Sequence, residues 1–276
     1  MIRIRNISVI ILAKNEEAGL GNTLGQLSAF EDVIVVDSQS EDNTVEIAER
    51  HGARTVDFAW DGKYPKKKQW SLQNAGAVNE WVLLLDADEF PSLSLVRELA
   101  ILDDHLAESN HGAYDINLLY RFAGRYLRFG HVVTKRSLLH VDRAHFPVVD
   151  DLSAPGIREV EGHYQPETSW SIGRLRSRIV HDDRDPVSSW FARHNRYSDW
   201  EAHLRTNSTL REHVASKRTS KGRLFDVLPF KPLLFFAYAY ILRAGFLDGR
   251  AGFDYAVALA AYYWQIGVKT RERLRA

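Results

Sequence analysis

The sequence predicts an α/β fold: a doubly wound, mostly parallel β-sheet flanked by helices, with a helical, apolar C-terminal extension. Three observations predict it. Continuous apolar runs rich in β-branched residues recur over the first hundred residues, as in strands that are covered on both faces. Segments of helical period separate these runs, which is typical of parallel sheets. Residues 223–276 are strongly apolar and aromatic.

The expected elements follow in order along the chain. Strands are predicted at 7–13, 32–38, 53–58 and 80–89. The first helix has Leu20, Leu24 and Leu27 at helical spacing. A second helix is expected to begin with Ser40 as its N-cap, and a third begins near Pro65. From residue 112 onward, alternating segments at 113–124 and 137–143 predict half-exposed strands, and 152–170 is rich in loop residues.

Composition excludes several classes of protein. Lys plus Arg and Asp plus Glu each number 36, so net charge gives no attraction to nucleic acid. There is no cysteine, which excludes disulfides, zinc–thiolate sites and thiol nucleophiles. The apolar run at the N-terminus ends at Lys14 and is too short for a signal peptide. No segment reaches the roughly 20 apolar residues that span a bilayer.

Polar residues stand where the predicted strands end. Lys14, Asn15 and Glu16 follow the first strand, Asp37 ends the second, and Asp86 ends the fourth. In doubly wound sheets, ligands bind beyond the carboxyl ends of the strands. We therefore expect these side chains to form one site at one edge of the sheet.

Asp86, Asp88 and Glu89 place three carboxylates within four residues, where they repel each other unless a cation offsets them. Hard oxygen ligands at the Asp-x-Asp spacing suit Mg²⁺ or Mn²⁺. In the alternative interpretation, Asp88, Glu89 and Pro91 open the next helix as a cap and first-turn acids. Spacing alone does not decide between the two.

Two common nucleotide-binding classes lack their motifs here. No Gly-x-Gly-x-x-Gly follows the first strand, which disfavours a nicotinamide-dinucleotide fold. No Gly-x-x-x-x-Gly-Lys-Ser/Thr occurs, which disfavours a P-loop NTPase. The turn "LAKNEEAGLG" also lacks the Gly-rich, basic signature expected of a nucleotidyltransferase.

Four segments together carry a resemblance to a known family. They are "SVIILAKNEE", "VIVVDSQSEDNTVEIAERHGA", "YPKKKQWSLQNA" and "EWVLLLDADE". In this order and at this spacing they resemble the family 2 glycosyltransferases of the GT-A fold, and most closely the bacterial members that build lipopolysaccharide core and other cell-surface glycans. The resemblance covers about 7–202. It implies an inverting transfer of a sugar, such as a hexose, from a nucleotide-sugar donor.

The resemblance also implies roles for individual residues. Asn15 and Glu16 would lie by the nucleoside, and Asp37 would hydrogen-bond the base or ribose. Asp86 and Asp88 would form the metal-binding Asp-x-Asp, with Asp86 near the ribose or the metal. In the basic run at 66–68, Lys68 would face the diphosphate of the donor. The alternative for that run is a solvated helix face, at least for one of its three lysines.

The general base and a third metal ligand are expected in the second half. Related sequences often carry a His-Glu pair after Arg-Glu-Val, and this chain departs from that pattern. Glu161 is the first candidate base and Glu159 the second, each against the alternative of a strand-edge acid. The acids Asp150, Asp151 and Asp182 come next. In related enzymes a histidine at the position of His181 is a metal ligand, and the alternative is a structural histidine.

The whole chain is expected to divide at residue 222. Residues 1–222 would form the glycosyltransferase domain, with a nucleotide-binding half at about 1–112 and an acceptor half at about 113–222. Residues 223–276 would form helices that lie in a membrane interface, or else pack on the domain or in a dimer. The expected partners are a nucleotide-sugar donor and a glycan or lipid-linked acceptor. The expected location is the cytoplasm, or peripherally the inner face of the cytoplasmic membrane. A non-catalytic scaffold in a glycan assembly complex is the alternative.

Overall fold

A computed structural model gives the structure of the chain, and it describes residues 2–149, 152, 159–161, 164–207 and 230–275. Within it the chain forms two compact units. The first comprises Met1–Tyr120, Val133–Val148 and Glu159–Asp183, and the second comprises Arg121–Val132, Val149–Arg158 and Arg184–Ala276. The expected boundary at residue 222 falls outside the described residues.

One mixed sheet of nine strands dominates the fold. The strands are β1 (Ile4–Ala13), β2 (Phe30–Asp37), β3 (Arg54–Asp57), β4 (Trp81–Asp86), β5 (Glu89–Pro91), β6 (His111–Phe122), β7 (Arg125–Leu127), β8 (Thr134–His140) and β9 (Ser171–His181). Their order is β3-β2-β1-β4-β8-β6-β9-β5, and β7 pairs with β6. β3, β2, β1 and β4 are mutually parallel, as the sequence predicts.

The register of the parallel strands brings their carboxyl ends together. Ala13 of β1 pairs with Asp37 of β2, and its neighbour Leu12 pairs with Asp86 of β4. The carboxyl-terminal halves of β1, β2 and β4 consist mainly of buried Ile, Val and Leu, as in strands that are covered on both faces. The polar ends therefore lie side by side at one edge, as expected.

Four α-helices lie between the strands of the first half of the chain, and a fifth follows β9. They are α1 (Leu20–Gly25), α2 (Thr44–Arg50), α3 (Lys67–Asn74), α4 (Leu93–Asp103) and α5 (Val187–Thr206). One expectation and one alternative interpretation about helix starts are wrong. Asn43, not Ser40, is the N-cap residue of α2, because Ser40 bonds to Asp37 instead. Ser92 caps α4 by accepting from Leu95 N–H, while Glu89 and Pro91 lie in β5.

The C-terminal part of the second unit is helical. α6 (Lys231–Phe236) continues into a wide turn at Ala237–Leu242, and Gly245–Asp248 leads into α7 (Gly249–Arg273). α7 packs against α5, where Lys269 Nζ lies 2.8 Å from Asp199 Oδ1. The Asp248 carboxylate accepts from the N–H groups of Arg128 and Phe129. No helix among the described residues has the length and apolar character needed to cross a membrane.

Candidate active site

Hydrogen bonds join the loops that follow β1 and β2. Asn15 has a left-handed backbone (φ 55°), and its N–H donates to Ser40 Oγ at 2.8 Å. Its side-chain oxygen accepts from Glu41 N–H at 2.9 Å. Both oxygens of Asp37 accept from Ser40, one from the backbone N–H at 2.8 Å and one from the hydroxyl. Ser40 thus connects two of the residues that the sequence assigns to the nucleotide.

Glu16 is positioned by the start of α2. Its N–H donates to Thr44 Oγ1 at 2.7 Å, and the carboxylate of the following Glu17 accepts from the Asn43 side chain at 2.9 Å. The loop after β1 is therefore fixed against this helix, with Asn15 and Glu16 at the carboxyl end of β1.

Three consecutive lysines begin α3, and two of them are buried. Lys66 and Lys67 are no more than 1% exposed, so the interpretation of 66–68 as a solvated face is wrong for both. Lys67 Nζ donates to the Ala13 carbonyl at 2.7 Å and lies 4.0 Å from Glu159 Oε1. Burial lowers the pKa of Lys67 to about 8, although Glu159 and Asp37 act in the opposite direction.

A lysine that the sequence analysis did not single out neutralises the end of β4. Lys135 of β8 places Nζ 2.8 Å from Asp86 Oδ2 and in contact with Glu89 Oε2. Burial would raise the pKa of Asp86, but the charges of Lys135 and Lys68 outweigh it and hold the pKa well below its usual range. Burial would lower the pKa of Lys135, but the negative charges of Asp86 and Glu89 outweigh this and hold its pKa above the usual range.

Glu89 links this ion pair to β9. The residue is 1% exposed, and its Oε2 accepts from Asp86 N–H at 3.0 Å. Its Oε1 lies 3.7 Å from His181 Nδ1, since Glu89 and His181 are direct partners in the β5–β9 ladder. The ring of Tyr120 stacks on His181 with the centroids 4.6 Å apart. The histidine is therefore held between a carboxylate and an aromatic ring.

Asp88, His181 and Asp183 form a candidate metal centre. Their potential ligand atoms lie within 4.8 Å of one another, and Asp88 Oδ1 is 3.4 Å from His181 Nδ1. The Asp182 N–H donates to the Asp88 carbonyl at 2.8 Å, which fixes the two segments against each other. Asp88 and His181 are both predicted metal ligands, and the structure brings them together. It adds Asp183, which was missed, and leaves Asp86 with Lys135.

The donor set of this centre fits a divalent cation. His181 Nδ1 is buried and has no hydrogen-bond partner among the described residues, although it faces Asp88. Burial raises the pKa of Asp88 to about 6. His181 acts in the opposite direction, while repulsion by Glu89 and Asp86 adds to the rise. A cation at this point would satisfy the nitrogen and keep the carboxylate ionised. Two carboxylates and an imidazole are ligands that Mn²⁺ and similar ions accept.

The two candidate bases have different surroundings. The carboxylate oxygens of Glu161 accept from the N–H groups of Lys68 and Gln69, at 2.7 and 2.9 Å, in the first turn of α3. Glu161 also lines a cavity of about 380 Å³ with Tyr64 and Phe146. Glu159 instead faces the strand ends.

The Glu159 carboxylate lies 3.8 Å from Lys14 Nζ and 4.0 Å from Lys67 Nζ. Its carbonyl accepts from Lys67 N–H at 2.7 Å, so the backbone of this segment is also tied to α3. Asp182 is buried at the end of β9, whereas Asp150 and Asp151 lie outside the described residues.

Comparison with known proteins identifies the first half of the chain. Residues 8–129 match the sequence model of the family "Glycosyl transferase family 2". These residues form a family 2 glycosyltransferase domain. The fold is accordingly the GT-A fold that the sequence predicts, with helices at its C-terminal end.

Curated relatives of the family 2 domain are themselves glycosyltransferases. An uncharacterized glycosyltransferase of Rickettsia typhi is 36% identical over 121 residues, which cover 44% of this chain and 40% of the relative. The chain thus matches less than half the length of this relative. The lipopolysaccharide core biosynthesis glycosyltransferase LpsC of Rhizobium meliloti is 26% identical over 278 residues, covering 97% of this chain and 92% of LpsC.

Two solved structures are similar to the chain. Glucosyl-3-phosphoglycerate synthase from Mycobacterium tuberculosis, in complex with Mn²⁺ and UDP, is 27% identical with a TM-score of 0.31, covering 42% of this chain and 44% of that one. The mannosyltransferase PcManGT from Pyrobaculum calidifontis, in complex with GDP-Man and Mn²⁺, is 15% identical with a TM-score of 0.49, covering 98% and 88%.

Proposed function

We propose that the protein is an inverting glycosyltransferase that uses a nucleotide-sugar donor and a divalent cation. One observation carries the proposal. Within and beside a family 2 domain, the carboxyl ends of β1, β2 and β4 converge on one edge, next to the Asp88–His181–Asp183 cluster. Such an edge is where ligands bind in sheets of this kind.

The donor nucleotide would bind at the ends of β1 and β2. Asp37 holds Ser40 through two hydrogen bonds, and Ser40 in turn holds Asn15, so the loop is shaped before a ligand arrives. Asn15, Glu16 and Asp37 are the residues proposed to contact the nucleoside. Lys68 is proposed to face the diphosphate, since it is half-buried and its charge acts on Asp86.

Asp88, His181 and Asp183 are the residues proposed to hold the cation. When bound, a Mg²⁺ or Mn²⁺ ion would stabilise the negative charge that develops on the departing nucleoside diphosphate. Asp86 is proposed to act nearby through its pair with Lys135.

Glu159 is our proposed general base, and Glu161 is the alternative. Both Glu161 oxygens already accept from backbone N–H groups at the positive end of α3, which suits a residue that fixes this helix. Glu159 lies beside Lys14 and Lys67 at the strand ends, where an acceptor hydroxyl must approach the donor. This order reverses the one predicted from the sequence. Glu161 stays a candidate because a carboxylate has further lone pairs and this one faces a cavity.

The acceptor is proposed to be a glycan or a lipid-linked glycan of the cell envelope. The relation to LpsC over 97% of the chain supports lipopolysaccharide synthesis. In the second unit, exposed apolar side chains occur beside basic ones, including Leu233, Ile241 and Leu242 near Arg243. That pattern favours peripheral attachment to the inner face of the cytoplasmic membrane.

Calorimetry with nucleotides tests the proposal and separates it from a non-catalytic scaffold. UDP, GDP and dTDP are titrated with and without Mn²⁺ into the protein, into Asp88→Asn and into Asp104→Asn, which changes an exposed acid at the end of α4. We expect one nucleotide to bind in an Mn²⁺-dependent way to all but Asp88→Asn. If no nucleotide binds with or without the ion, the scaffold interpretation is correct.

A further inference from the structure

A cavity of about 380 Å³ lies between α3 and the segment that follows β8. Its volume falls within the range of small-molecule sites, roughly 300–1,000 Å³. All of its described lining residues belong to the first unit, so the cavity lies within one compact part of the chain. Its apolar lining comes from two short stretches, each with a proline: Tyr64, Pro65, Phe146, Pro147 and Val148.

Two glutamines of α3 supply hydrogen-bonding groups to the cavity. Gln69 and Gln73 are four residues apart, so they lie on the same face of the helix. Gln69 Oε1 accepts from Phe146 N–H at 2.7 Å, which orients its amide. The amide nitrogen of Gln69 keeps two N–H donors that have no partner among the described residues. The side-chain amide of Gln73 is exposed and equally without a described partner.

The lining favours a ligand that is uncharged and carries hydroxyl groups. It includes the carboxylate of Glu161 and, among the described residues, no Lys or Arg, so an anion would meet a like charge. A wholly apolar ligand would leave the donors of Gln69 unpaired, which weakens binding. Hydroxyl groups can accept from these donors and donate to the remaining lone pairs of Glu161. A sugar ring combines several hydroxyl groups with C–H groups that pack on apolar walls.

We propose that this cavity binds an uncharged sugar ring of the acceptor. Glu161 lines the cavity, and the proposed general base Glu159 precedes it by two residues, which span at most about 7 Å of chain. Lys68 Nζ lies 5.8 Å from the ring centroid of Phe146, and its charge also acts on Asp86 at the end of β4. A ring in the cavity therefore lies near both the proposed base and the edge where the donor is proposed to bind.

The assignment to the acceptor rests on the proposed function, but the binding test uses no nucleotide. Methyl β-glucoside, methyl β-galactoside and methyl α-mannoside are titrated separately, with cyclohexanol and glucuronate as comparison ligands. Binding is followed by NMR through the side-chain amide signals of the glutamines. We expect saturable shifts of Gln69 and Gln73 with at least one glycoside, and weaker binding of both comparison ligands.

Two variants and a matched control make the test specific. Gln73→Met should weaken binding of that glycoside by about three- to tenfold, the usual effect of one lost hydrogen bond. Gln69→Glu keeps the oxygen that accepts from Phe146 N–H but removes both amide donors, and should weaken binding at least as much. Gln26→Met is the control, because Gln26 is an exposed glutamine at the end of α1. α1 packs on the sheet face opposite to α3, since its Leu24 belongs to a different core from Leu72.

Four results would overturn the proposal. Absence of saturable glycoside binding, or equal losses in Gln73→Met and Gln26→Met, would show that the cavity is not the site. Cyclohexanol or glucuronate that binds as tightly as the glycosides would overturn the class of ligand. Shifts of Gln69 on addition of a nucleotide with Mn²⁺ would assign the cavity to the donor. Nucleotide binding itself is measured separately by calorimetry, so failure of the proposed function is distinguishable from failure of this site.

Discussion

Lys135 Nζ lies 2.8 Å from Asp86 Oδ2 and contacts Glu89 Oε2, so a lysine of β8 neutralises the carboxyl end of β4. The repulsion among the carboxylates at the end of β4 is thus offset by the ammonium group of Lys135, without a metal ion. Asp88 lies outside this ion pair and belongs to the candidate metal centre with His181 and Asp183.

Lys135→Met should destabilise the fold strongly. It leaves Glu89, which is 1% exposed, without its cation, and breaking one partner of a buried pair costs about 3–5 kcal/mol. Urea unfolding measures the loss. The double variant Lys135→Met, Glu89→Gln should recover part of it, because the uncompensated charge is gone. A double variant no more stable than Lys135→Met would show that the pair is not the cause.

Glu159→Gln and Glu161→Gln should fail in different ways. Glu159→Gln should lower kcat by a factor on the order of 10² or more, the effect of a lost general base, with donor affinity unchanged. Glu161→Gln should cost about 1 kcal/mol of unfolding free energy, because α3 loses a negative cap, and should keep most of its turnover. Turnover and urea unfolding are measured for both. Loss of turnover in Glu161→Gln alone would return the base to the residue first predicted from the sequence.

Lys67 should make stability rise with pH above about pH 8. The unfolded lysine keeps its proton up to its ordinary pKa of 10.5, and the folded one only up to about 8. Between these values the unfolded chain binds more protons, so the free energy of unfolding increases with pH. Relative to Lys67→Met, the gain across this range is about 3 kcal/mol.

Urea unfolding at three pH values between 7.5 and 10.5 measures this difference. Lys63→Met, which changes an exposed lysine, is the control and should show no such trend relative to the unmodified protein. If the difference between Lys67→Met and the unmodified protein is the same at every pH, Lys67 does not titrate as described.

Leu242→Glu should weaken membrane attachment. Leu242 is 77% exposed beside Arg243, and burying a leucine contributes about 1.5–3 kcal/mol, so its loss should reduce partitioning about tenfold or more. Flotation with phosphatidylglycerol liposomes measures this. Leu93→Glu, which changes a leucine of α4 that is 75% exposed, should float like the unmodified protein. An unmodified protein that never floats would assign this surface to packing or to oligomer contacts.

The strands and the edge of the sheet could be predicted because their signals are local. Buried strands such as β1 and β2 are continuous apolar runs, and their polar ends follow directly. β5 could not be predicted in this way. Its three residues are extended only because they pair with β9, about ninety positions away, and Pro91 at that point favoured a helix start.

Only those residues of the site that have a local sequence signal could be predicted. Asp88 stands in a recognisable motif, whereas Lys135 is 49 positions from Asp86 and carries no motif. Asp183 had a weak signal, because the run His181-Asp182-Asp183 offers two acids and only the structure shows which one joins the cluster. The sequence signal at Ser40 was misleading. Serine is a common N-cap residue, but the hydroxyl and the N–H of Ser40 both donate hydrogen bonds to the Asp37 carboxylate.

The β5–β9 pair has a consequence for how the site assembles on a growing chain. The match to the family 2 model ends at residue 129, and Asp86 and Asp88 are synthesised before that point. Lys135, Glu159, His181 and Asp183 are all synthesised later, and His181 meets Glu89 only when β9 inserts beside β5. A nascent chain that ends at residue 129 would thus carry the repelling carboxylates of Asp86, Asp88 and Glu89 without Lys135. A chain released from the ribosome before β9 would also lack His181 and Asp183, two of the three residues of the candidate metal centre.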